Sequence, residues 1–400
     1  MTVNIGYCTN VHAGADLETT RANLERYALA VKEQLAIDST GGNSMGVGLW
    51  LAAPAARSLR TAGEAEALGD WLAEVGLVPF TLNGFPYGDF HQPVVKHRVY
   101  EPTWLEDARR DYTLDLIHIL DKILPARQSG SISTLPIAWS EPELTPEQFT
   151  AAAEHLRAVA RELAELEASS GRRITLALEP EPGCVLQRSG DVVRLFEDYL
   201  LTPKDEDVVR RYLTVCHDVC HAVVMFEEQA AVLKRYAQAG IAVGKVQVSS
   251  AVCCDFAQIA PAQRAAAIAQ LSAFAEDRYL HQTMIKEAAT GEAAEPESTN
   301  TVPVFYEDLP QALSAVENPT TLTSEWRIHF HVPVYLPSFG SLGTSQQAVL
   351  DCLAACRADS NVEHFEVETY AWGVLPEELQ QADLASGIAA EMKWFGEQIN

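Results

Sequence analysis

The stretch ITLALEPE, residues 174–181, decides the fold class of this chain. Its apolar side chains Ile174, Leu176 and Leu178 share one face, whereas Glu179 lies on the other face where the run ends. This period of two predicts a β-strand, because successive side chains of a strand point to opposite faces. One apolar face and one mixed face are typical of a strand with helices on one side and a barrel interior on the other.

Other short apolar runs follow the same pattern, and longer amphipathic stretches separate them. One of these helices is predicted to begin at Thr145, because Gln148 completes a capping box with it. Strands that alternate with helices predict βα units around a parallel sheet, and eight such units predict a closed (β/α)8 TIM barrel. The eight predicted strands are Asn4–Asn10, Gly46–Leu51, Pro79–Gly84, Ile132–Pro136, Ile174–Pro180, Leu213–Asp218, Gly244–Ser249 and Phe365–Tyr370.

One segment interrupts this alternation between the seventh and the eighth predicted strand. Arg278–Thr283 and Trp326–Val334 both have strand patterns, and the polar stretch Ala289–Thr301 lies between them. We therefore expect residues 1–400 to form a single TIM-barrel domain. Within it, residues 277–337 are predicted to form an inserted hairpin segment over the C-terminal mouth of the barrel.

The composition disfavours several classes of protein. Apolar residues make up 48% and charged residues 21%, which is typical of a folded chain with a sizeable core. Aspartate and glutamate outnumber lysine and arginine 55 to 29, and the net charge of −26 repels nucleic acid and anionic membranes. The sequence lacks a long apolar run, a leader pattern, a CxxC pair and nucleotide-binding glycine motifs. We expect a cytoplasmic protein that binds a small molecule and neither binds nucleic acid nor inserts into a membrane.

Three predicted strands end in a carboxylate on the face that the apolar residues leave free: Glu179, Asp218 and Glu368. Carboxylates buried close together cannot all ionise without a compensating cation, so their convergence predicts a divalent-metal site. Each of them taken singly is also compatible with a solvated loop residue or an ion-pair partner. The same alternation places Lys245 inside the barrel, where we expect it to pair with a carboxylate; a role as an electrophile is the alternative.

Short motifs around these carboxylates resemble a known superfamily. LEPEP at residues 178–182, DVCH at residues 218–221 and EVE at residues 366–368 follow one another at predicted strand ends. In this order they resemble the motifs of the xylose-isomerase-like TIM barrels, which include sugar isomerases, ketose 3-epimerases and endonuclease-IV-type enzymes. The resemblance covers about the last two-thirds of the predicted barrel.

This resemblance implies roles for individual residues. Glu179, Asp218 and Glu368 would be ligands of one divalent metal ion, and both glutamates would also act as the catalytic acid and base. His221 would contact the substrate, as a histidine three residues after the aspartate does in the ketose epimerases. Oxygen-rich ligation suits Mn²⁺ or Mg²⁺ best, and Zn²⁺ becomes more suitable as histidines are added.

The chain departs from the family pattern at one ligand position. Gln247 stands where the resemblance implies a histidine, and an amide binds a metal more weakly than an imidazole does. Either Gln247 completes the metal shell, or a histidine of the insertion does so, with His281 and the pair His329 and His331 as candidates. His329 shares a face with His331 and is expected to contact the substrate; both are also compatible with partly exposed hairpin residues.

Longer strings resemble a narrower group, the TIM-barrel member of the Ebo metabolite-traffic clusters. They are YCTNVH at residues 7–12, NGFPYG at residues 83–88 and HFHVP at residues 329–333. The resemblance implies a role in making or moving a secondary-metabolite precursor, with a functional link to a prenyltransferase.

The sequence therefore predicts a metal-dependent isomerase or epimerase that acts on a small polyhydroxylated or sugar-like metabolite. Residues His12, Asn83, Glu181, His221 and His329 are predicted to bind the substrate. Two alternatives stay open, a non-catalytic metabolite-binding protein and a metal-dependent phosphoesterase of the endonuclease IV type. The oligomeric state is also open, and a homo-oligomer is allowed.

Overall fold

A computed structural model describes residues 3–37, 44–288, 302–359 and 362–399. Its strands are β1 (Asn4–Cys8), β2 (Met45–Trp50), β3 (Leu77–Asn83), β4 (Gly130–Thr134), β5 (Ile174–Leu178), β6 (Leu213–Asp218), β7 (Val243–Val248), β8 (Val252–Asp255), β9 (Thr283–Lys286), β10 (Val304–Tyr306), β11 (Glu325–Ile328), β12 (Ser338–Phe339), β13 (Leu342–Thr344) and β14 (His364–Val367).

Strands β1 to β7 and β14 are parallel and close into a barrel in the order β1-β14-β7-β6-β5-β4-β3-β2. The ring closes at β1, where Tyr7 pairs with Val47 on one side and with Val367 on the other. Because closure leaves no free sheet edge, every barrel strand is bonded on both sides. The predicted (β/α)8 barrel is therefore confirmed.

Helices surround the barrel and cover the apolar faces of its strands. Helix α6 begins at the predicted capping box, in which Thr145 and Gln148 each bond the backbone of the other. Apolar side chains on this outer face, such as Leu82, Leu176 and Leu178, are fully buried. The helices of the described residues are α1 (Leu17–Asn23), α2 (Leu29–Ile37), α3 (Ala53–Leu59), α4 (Glu64–Glu74), α5 (Asp107–Ile123), α6 (Pro146–Ser170), α7 (Ser189–Leu195), α8 (Glu206–Tyr212), α9 (Val219–Val224), α10 (Gln229–Gln238), α11 (Pro261–Ser272), α12 (Leu309–Ser314), α13 (Gln346–Asp359) and α14 (Leu384–Ile399).

A second sheet lies between β7 and β14 in the chain. Its strands run antiparallel in the order β10-β9-β11-β8-β13-β12, from Val252 to Thr344, and so begin before and end after the predicted insertion at residues 277–337. Residues 289–301 of that insertion lie outside the described residues. That residues 277–337 act as a unit within the domain stays a prediction.

The strand boundaries in this segment differ from the prediction. The predicted strand Arg278–Thr283 is not formed, because β9 only begins at Thr283. Strand β11 ends at Ile328, six residues before the predicted Val334. Beyond Ile328 the chain leaves β11: the amide of Val332 donates to the carbonyl of Ser250 (2.9 Å), just after β7. This path carries the following residues from the second sheet to the barrel mouth.

The interior of the barrel is polar below its mouth. Lys245 on β7 lies 2.6 Å from Glu366 on β14, so the predicted pairing of this lysine with a carboxylate is confirmed. His364 Nδ1 lies 2.9 Å from the hydroxyl of Ser131, nearer the N-terminal end of the barrel. None of the helices in the described part of the chain combines the length and the apolar character that a membrane crossing requires.

Candidate metal centre

Three carboxylates meet at the C-terminal rim of the barrel. Glu179 follows β5, Asp218 ends β6 and Glu368 follows β14. One oxygen atom of each lies within 4.8 Å of the others, and all three side chains are buried. The C-terminal ends of parallel barrel strands share one rim, and the alternation of side chains turns all three carboxylates inward.

Two of these carboxylates have an oxygen without a hydrogen-bond partner among the described residues, namely Glu179 Oε2 and Asp218 Oδ2. The other oxygen of Asp218 accepts from the hydroxyl of Ser249 and from the amide of His221, both at 2.8 Å. A buried acceptor without a partner costs about 1–3 kcal/mol. A cation bound between the two carboxylates would remove that cost.

Glu368 is held by amide groups at the C-terminal ends of two other strands of the barrel. Its Oε1 atom accepts from Asn10 Nδ2 at 2.6 Å and from Asn83 Nδ2 at 3.1 Å. Asn10 follows β1, and Asn83 is the last residue of β3. The predicted substrate-binding residue Asn83 thus orients a carboxylate of the cluster.

The charges of the cluster are not balanced by the protein. Burial raises the pKa of Glu179 to about 7, against the opposing effect of His221. Burial and the Glu179 and Asp218 carboxylates raise the pKa of Glu368 well above its usual range. Burial also opposes the ionisation of Asp218, but His221 and His331 outweigh it and lower the pKa of this carboxyl. A divalent cation would allow all three groups to ionise together.

An imidazole of the inserted segment reaches the carboxylates. His331 Nδ1–H donates to the backbone carbonyl of Glu368 at 2.8 Å, which leaves the lone pair on Nε2. This Nε2 atom lies 3.9 Å from Asp218 Oδ2 and has no hydrogen-bond partner in the described parts of the chain. A carbonyl that fixes one ring nitrogen while the other faces carboxylates is the usual setting of a metal-binding histidine.

Gln247 lies on β7, between the strands that carry Asp218 and Glu366. Its side chain is fully buried, and neither its amide oxygen nor its amide nitrogen has a partner within the described ranges. His281, the other predicted ligand, is not brought to the cluster. Its two ring nitrogens lie 2.9 Å from Glu276 Oε1 and 3.1 Å from the carbonyl of His329.

A second group of polar side chains adjoins the carboxylates and consists of Glu181, His221 and His329. Single donor atoms of these three residues also lie within 4.8 Å of one another, and all are buried. Glu181 Oε1 accepts from Tyr100 OH at 2.8 Å and from Gln282 Nε2 at 3.0 Å. His329 and His331 are both buried, so they are not partly exposed hairpin residues. The segment after β11 carries them into the barrel mouth.

The pKa values of the two histidines of this group are shifted in opposite directions. Burial disfavours the charged form of His221, but the carboxylates of Asp218, Glu181 and Glu179 outweigh it and raise its pKa. Burial lowers the pKa of His329 well below its usual range, and the neighbouring His221 adds to this effect.

A cavity of about 550 Å³ opens above both groups. This volume includes space that is open to solvent. Carboxylates, amides and imidazoles line part of it, and the apolar and aromatic lining residues are Phe85, Phe90, Val99, Tyr279, Leu280 and Tyr370. A molecule in this cavity would meet oxygen and nitrogen ligands as well as nonpolar groups.

His12, which was predicted to bind substrate, lies away from this cavity. Its ring stacks on Tyr27 with centroids 4.7 Å apart, and its Nε2 lies 3.1 Å from Tyr7 OH. Burial lowers its pKa to about 3, so it is a neutral ring in a packed aromatic environment. Of the residues that follow β1, Asn10 lines the cavity instead of His12, among the residues that the structure describes.

Sequence reasoning missed Asn10, Tyr100 and Gln282 as site residues. The signal for Asn10 was present, since it follows a strand with the same alternation that identified Asn83. Tyr100 ends the 3₁₀ helix Lys96–Tyr100 in the long connection after β3. The sequence of this connection has no periodic pattern that predicts where the helix packs.

No protein-family model and no curated protein sequence matches this chain. Among solved structures it is similar to a xylose isomerase-like TIM barrel protein from Mycobacterium smegmatis in complex with magnesium, with 11% identity, 100% of this chain and 97% of that chain covered, and a TM-score of 0.49. It is also similar to a xylose isomerase domain protein from Planctomyces limnophilus, with 12% identity, coverage of 99% and 97%, and a TM-score of 0.47. A third is the probable 3-DHS dehydratase AsbF of Bacillus anthracis, with 10% identity, coverage of 98% of both chains and a TM-score of 0.47. The fold assignment rests on the closed barrel itself.

Proposed function

We propose that this protein is a divalent-metal-dependent isomerase or epimerase acting on a small polyhydroxylated or sugar-like metabolite. One observation carries the proposal: Glu179, Asp218 and Glu368 present donor oxygens within 4.8 Å of one another beneath a cavity. Separate strands supply the three groups, so their arrangement depends on the rigid barrel rather than on a mobile loop.

The donor set fits a hard divalent ion. The proposed ligands are Glu179, Asp218 and Glu368, with His331 as the fourth, because its Nε2 lone pair faces Asp218. Gln247 is the alternative fourth ligand, supported by its buried amide atoms without partners among the described residues. Three carboxylates and one imidazole suit Mn²⁺ or Mg²⁺, and Zn²⁺ is the next candidate.

When bound, such an ion would polarise two oxygen atoms of the substrate. Glu179 and Glu368 come from strands that are not neighbours in the barrel, so their carboxylates approach a bound molecule from different directions. One is placed to take a proton from carbon, and the other to return a proton to the carbon skeleton. Asn10 and Asn83 would hold Glu368 in position during this transfer.

The apolar and aromatic residues that line the cavity narrow the class of substrate. Phe90, Tyr279 and Tyr370 pack against one another, with ring centroids 4.9 to 5.5 Å apart. A free sugar has few nonpolar groups to place there. We therefore propose a substrate with neighbouring oxygen atoms at one end and a nonpolar part at the other. The role in a secondary-metabolite pathway and the link to a prenyltransferase stay predictions of the sequence.

Metal binding tests the site first. Metal-free protein is titrated with Mn²⁺ and the bound ion is measured, for the wild type and for Glu179→Gln, Asp218→Asn and Glu368→Gln. Each change is expected to weaken Mn²⁺ binding at least tenfold, because a charged ligand becomes a neutral amide. Glu165→Gln, an exposed change on α6, is the matched control. Unaltered Mn²⁺ binding in all three variants would contradict the proposed metal site.

The reaction class is tested by hydrogen exchange. The protein is incubated with Mn²⁺ in D₂O and a panel of ketoses, aldoses and cyclitols, with and without nonpolar substituents. Proton removal from carbon replaces a C–H bond by C–D, which proton NMR detects without knowledge of the product. Exchange is expected with the wild type and is expected to be lost in Glu179→Gln. Tight binding of a compound without any exchange would favour the alternative, a metabolite-binding protein.

A phosphoesterase of the endonuclease IV type is the weaker alternative. The net charge of −26 disfavours approach of a phosphate backbone to this chain. Among the described residues that line the cavity the one lysine is Lys96, and its ammonium group is paired with Asp308 at 2.5 Å.

A further inference from the structure

We infer that the N-terminal end of the barrel holds a binding site for a free α-amino acid. The site is a second cavity, here called the floor cavity, of about 1310 Å³ including space that is open to solvent. It is lined by residues at which barrel strands begin, namely Gly130 of β4, Val243 of β7 and His364 of β14. The carboxylate cluster lies at the opposite ends of the barrel strands, so this inference stands apart from the proposed function.

Two charged side chains line the floor cavity in the described part of the chain, Arg173 and Glu363. His364 also lines it, but burial and the nearby Lys245 lower the pKa of this imidazole to about 4, so the ring is neutral at neutral pH. Neither Arg173 nor Glu363 has an oppositely charged partner within 4.0 Å among the described residues. A simple anion would be repelled by Glu363 and a simple cation by Arg173, so the pair favours a ligand that carries both charges.

Hydrogen bonds bring the carboxylate to the side of the floor cavity on which Arg173 lies. Glu363 precedes β14, but its Oε2 atom accepts from the hydroxyl of Ser129 at 3.1 Å, next to the start of β4. Strand β4 pairs with β5, and the amide of Gly130 donates to the backbone carbonyl of Arg173 at 2.8 Å. The ammonium and carboxylate groups of an α-amino acid are attached to the same carbon atom. Such a molecule therefore suits two opposite charges that lie near each other without touching.

The groups that hold Glu363 are themselves held in place. His364 Nε2 lies 3.3 Å from Ser129 Oγ, and its Nδ1 atom lies 2.9 Å from Ser131 Oγ. A neutral imidazole donates through one ring nitrogen and accepts through the other, so it can bond a hydroxyl group on each side. The hydroxyl that orients the Glu363 carboxylate is thus fixed by a buried ring before any ligand binds.

The remaining lining of the floor cavity offers contacts for an amino-acid side chain. Thr175 and Thr214 line it and are buried, whereas the interior of such a barrel is usually filled by bulky branched side chains. Their hydroxyls lie close to the backbone of β7, because a Cβ atom at Gly244 would lie 2.3 Å from Thr214 Oγ1 and 3.1 Å from Thr175 Oγ1. Leu233 and Ile241 add apolar side chains to the same cavity. Both hydroxyl-bearing and aliphatic amino acids would therefore find suitable contacts.

The experiment measures binding to the full chain by isothermal titration calorimetry without added metal. The probes are L-threonine and L-leucine, each compared with its deamino and decarboxy analogues, which lack one of the two charges. We expect at least one of the two amino acids to bind the wild type. Each of its own analogues should bind at least tenfold more weakly, because one charged group of the cavity is then left without a partner.

Variants of the floor cavity locate the site. Arg173→Gln and Glu363→Gln should each weaken binding of the amino acid at least tenfold. Arg172→Gln is the matched control, because this neighbouring arginine lies 3.6 Å from Asp121 and should leave the affinity unchanged. Ala237→Trp, at an exposed position of α10 that lines the cavity, should obstruct binding without a change of charge. It provides the test if a charge variant does not fold, which circular dichroism checks.

Three outcomes would overturn the inference. The first is that neither amino acid binds the wild type, and the second is that an amino acid and its deamino analogue bind equally well. The third is binding that is lost in Glu181→Gln but kept in Arg173→Gln, since the ligand would then occupy the cavity above the carboxylates. None of these results bears on the proposed function, which is tested separately by Mn²⁺ binding to the carboxylate variants.

Discussion

Lys245 Nζ lies 2.6 Å from Glu366 Oε2 inside the barrel, and neither side chain is exposed to solvent. Glu366 precedes Glu368 by two residues on the same inward face of the chain, so the pair forms the layer below the carboxylate cluster. Removing two charges from water is costly, and their mutual attraction offsets this cost only while both partners are present. The stability of the barrel interior therefore depends on both residues being present together.

Loss of either partner should destabilise the fold strongly. We expect Lys245→Met or Glu366→Gln to lower the free energy of unfolding by about 3–5 kcal/mol, because one buried charge is left without its partner. Urea denaturation followed by circular dichroism measures this. The double change Lys245→Met with Glu366→Leu should recover much of the loss. Arg210→Ala, in the exposed pair with Glu206, should cost about 0–1 kcal/mol. Equal losses in the single and double variants would contradict the coupling.

Gly48 on β2 makes room for this pair. A Cβ atom at Gly48 would lie 1.4 Å from Glu366 Oε1, far inside contact distance. We expect Gly48→Ala to reduce the free energy of unfolding by about 1–3 kcal/mol, since the Glu366 side chain must move. The loss should be smaller when Glu366 is also changed to alanine.

Gly88→Ala is the control for that series, because nothing lies within 4 Å of a Cβ atom at Gly88. Its effect on urea denaturation should be within about 0.5 kcal/mol. A Gly48→Ala variant as stable as Gly88→Ala would show that Glu366 relaxes without cost.

Glu391 on α14 should make stability depend on pH. Its carboxyl accepts from Thr369, Trp372 and the amide of Val334, but burial outweighs these bonds and raises its pKa to about 7. The unfolded chain ionises this group near its ordinary value, so the folded state binds an extra proton between about pH 4.3 and 7. The contribution of Glu391 to the free energy of unfolding is fully present below that pH window. It falls by on the order of 3 kcal/mol as the pH rises through the window.

The difference in unfolding free energy between wild type and Glu391→Gln, measured from pH 4 to pH 8, isolates this effect. The amide cannot ionise, so the wild type should lose stability relative to this variant as the pH rises. Glu397→Gln, an exposed change on the same helix, should show no such trend. A difference that is constant over the whole range would contradict the prediction.

Asn10 and Asn83 are predicted to act as positioning residues for Glu368. Both donate to the same oxygen of this carboxylate, which orients the other oxygen. Replacing either by alanine is expected to weaken Mn²⁺ binding about 10- to 100-fold while leaving all three carboxylates in place. Calorimetric titration of Mn²⁺ measures this. Asn23→Ala, a change on α1 at the outside of the barrel, is the control. Unchanged Mn²⁺ affinity would show that Glu368 is oriented by the backbone alone.

Much of the barrel and the inward direction of several side chains followed from local pattern. The alternation around Glu179, Asp218 and Lys245 identifies the face of each strand without knowledge of its neighbours. The predicted strand boundaries were less accurate. The first strand was predicted to reach Asn10, but a 3₁₀ helix begins at Thr9. Above the rim a strand has no neighbour to bond, so the chain turns away from extended structure.

The sequence by itself determined the closed barrel and the strand ends at which carboxylates stand, because these depend on a period of two that each strand carries locally. Tertiary structure decided which other groups join them. His331 reaches Asp218, His281 turns to Glu276 and His12 packs on Tyr27 only because of the path that connecting segments take over the barrel mouth. That path is set by packing between residues far apart in the chain. Such packing produces no periodic pattern in the local sequence, so it could not be predicted from the sequence.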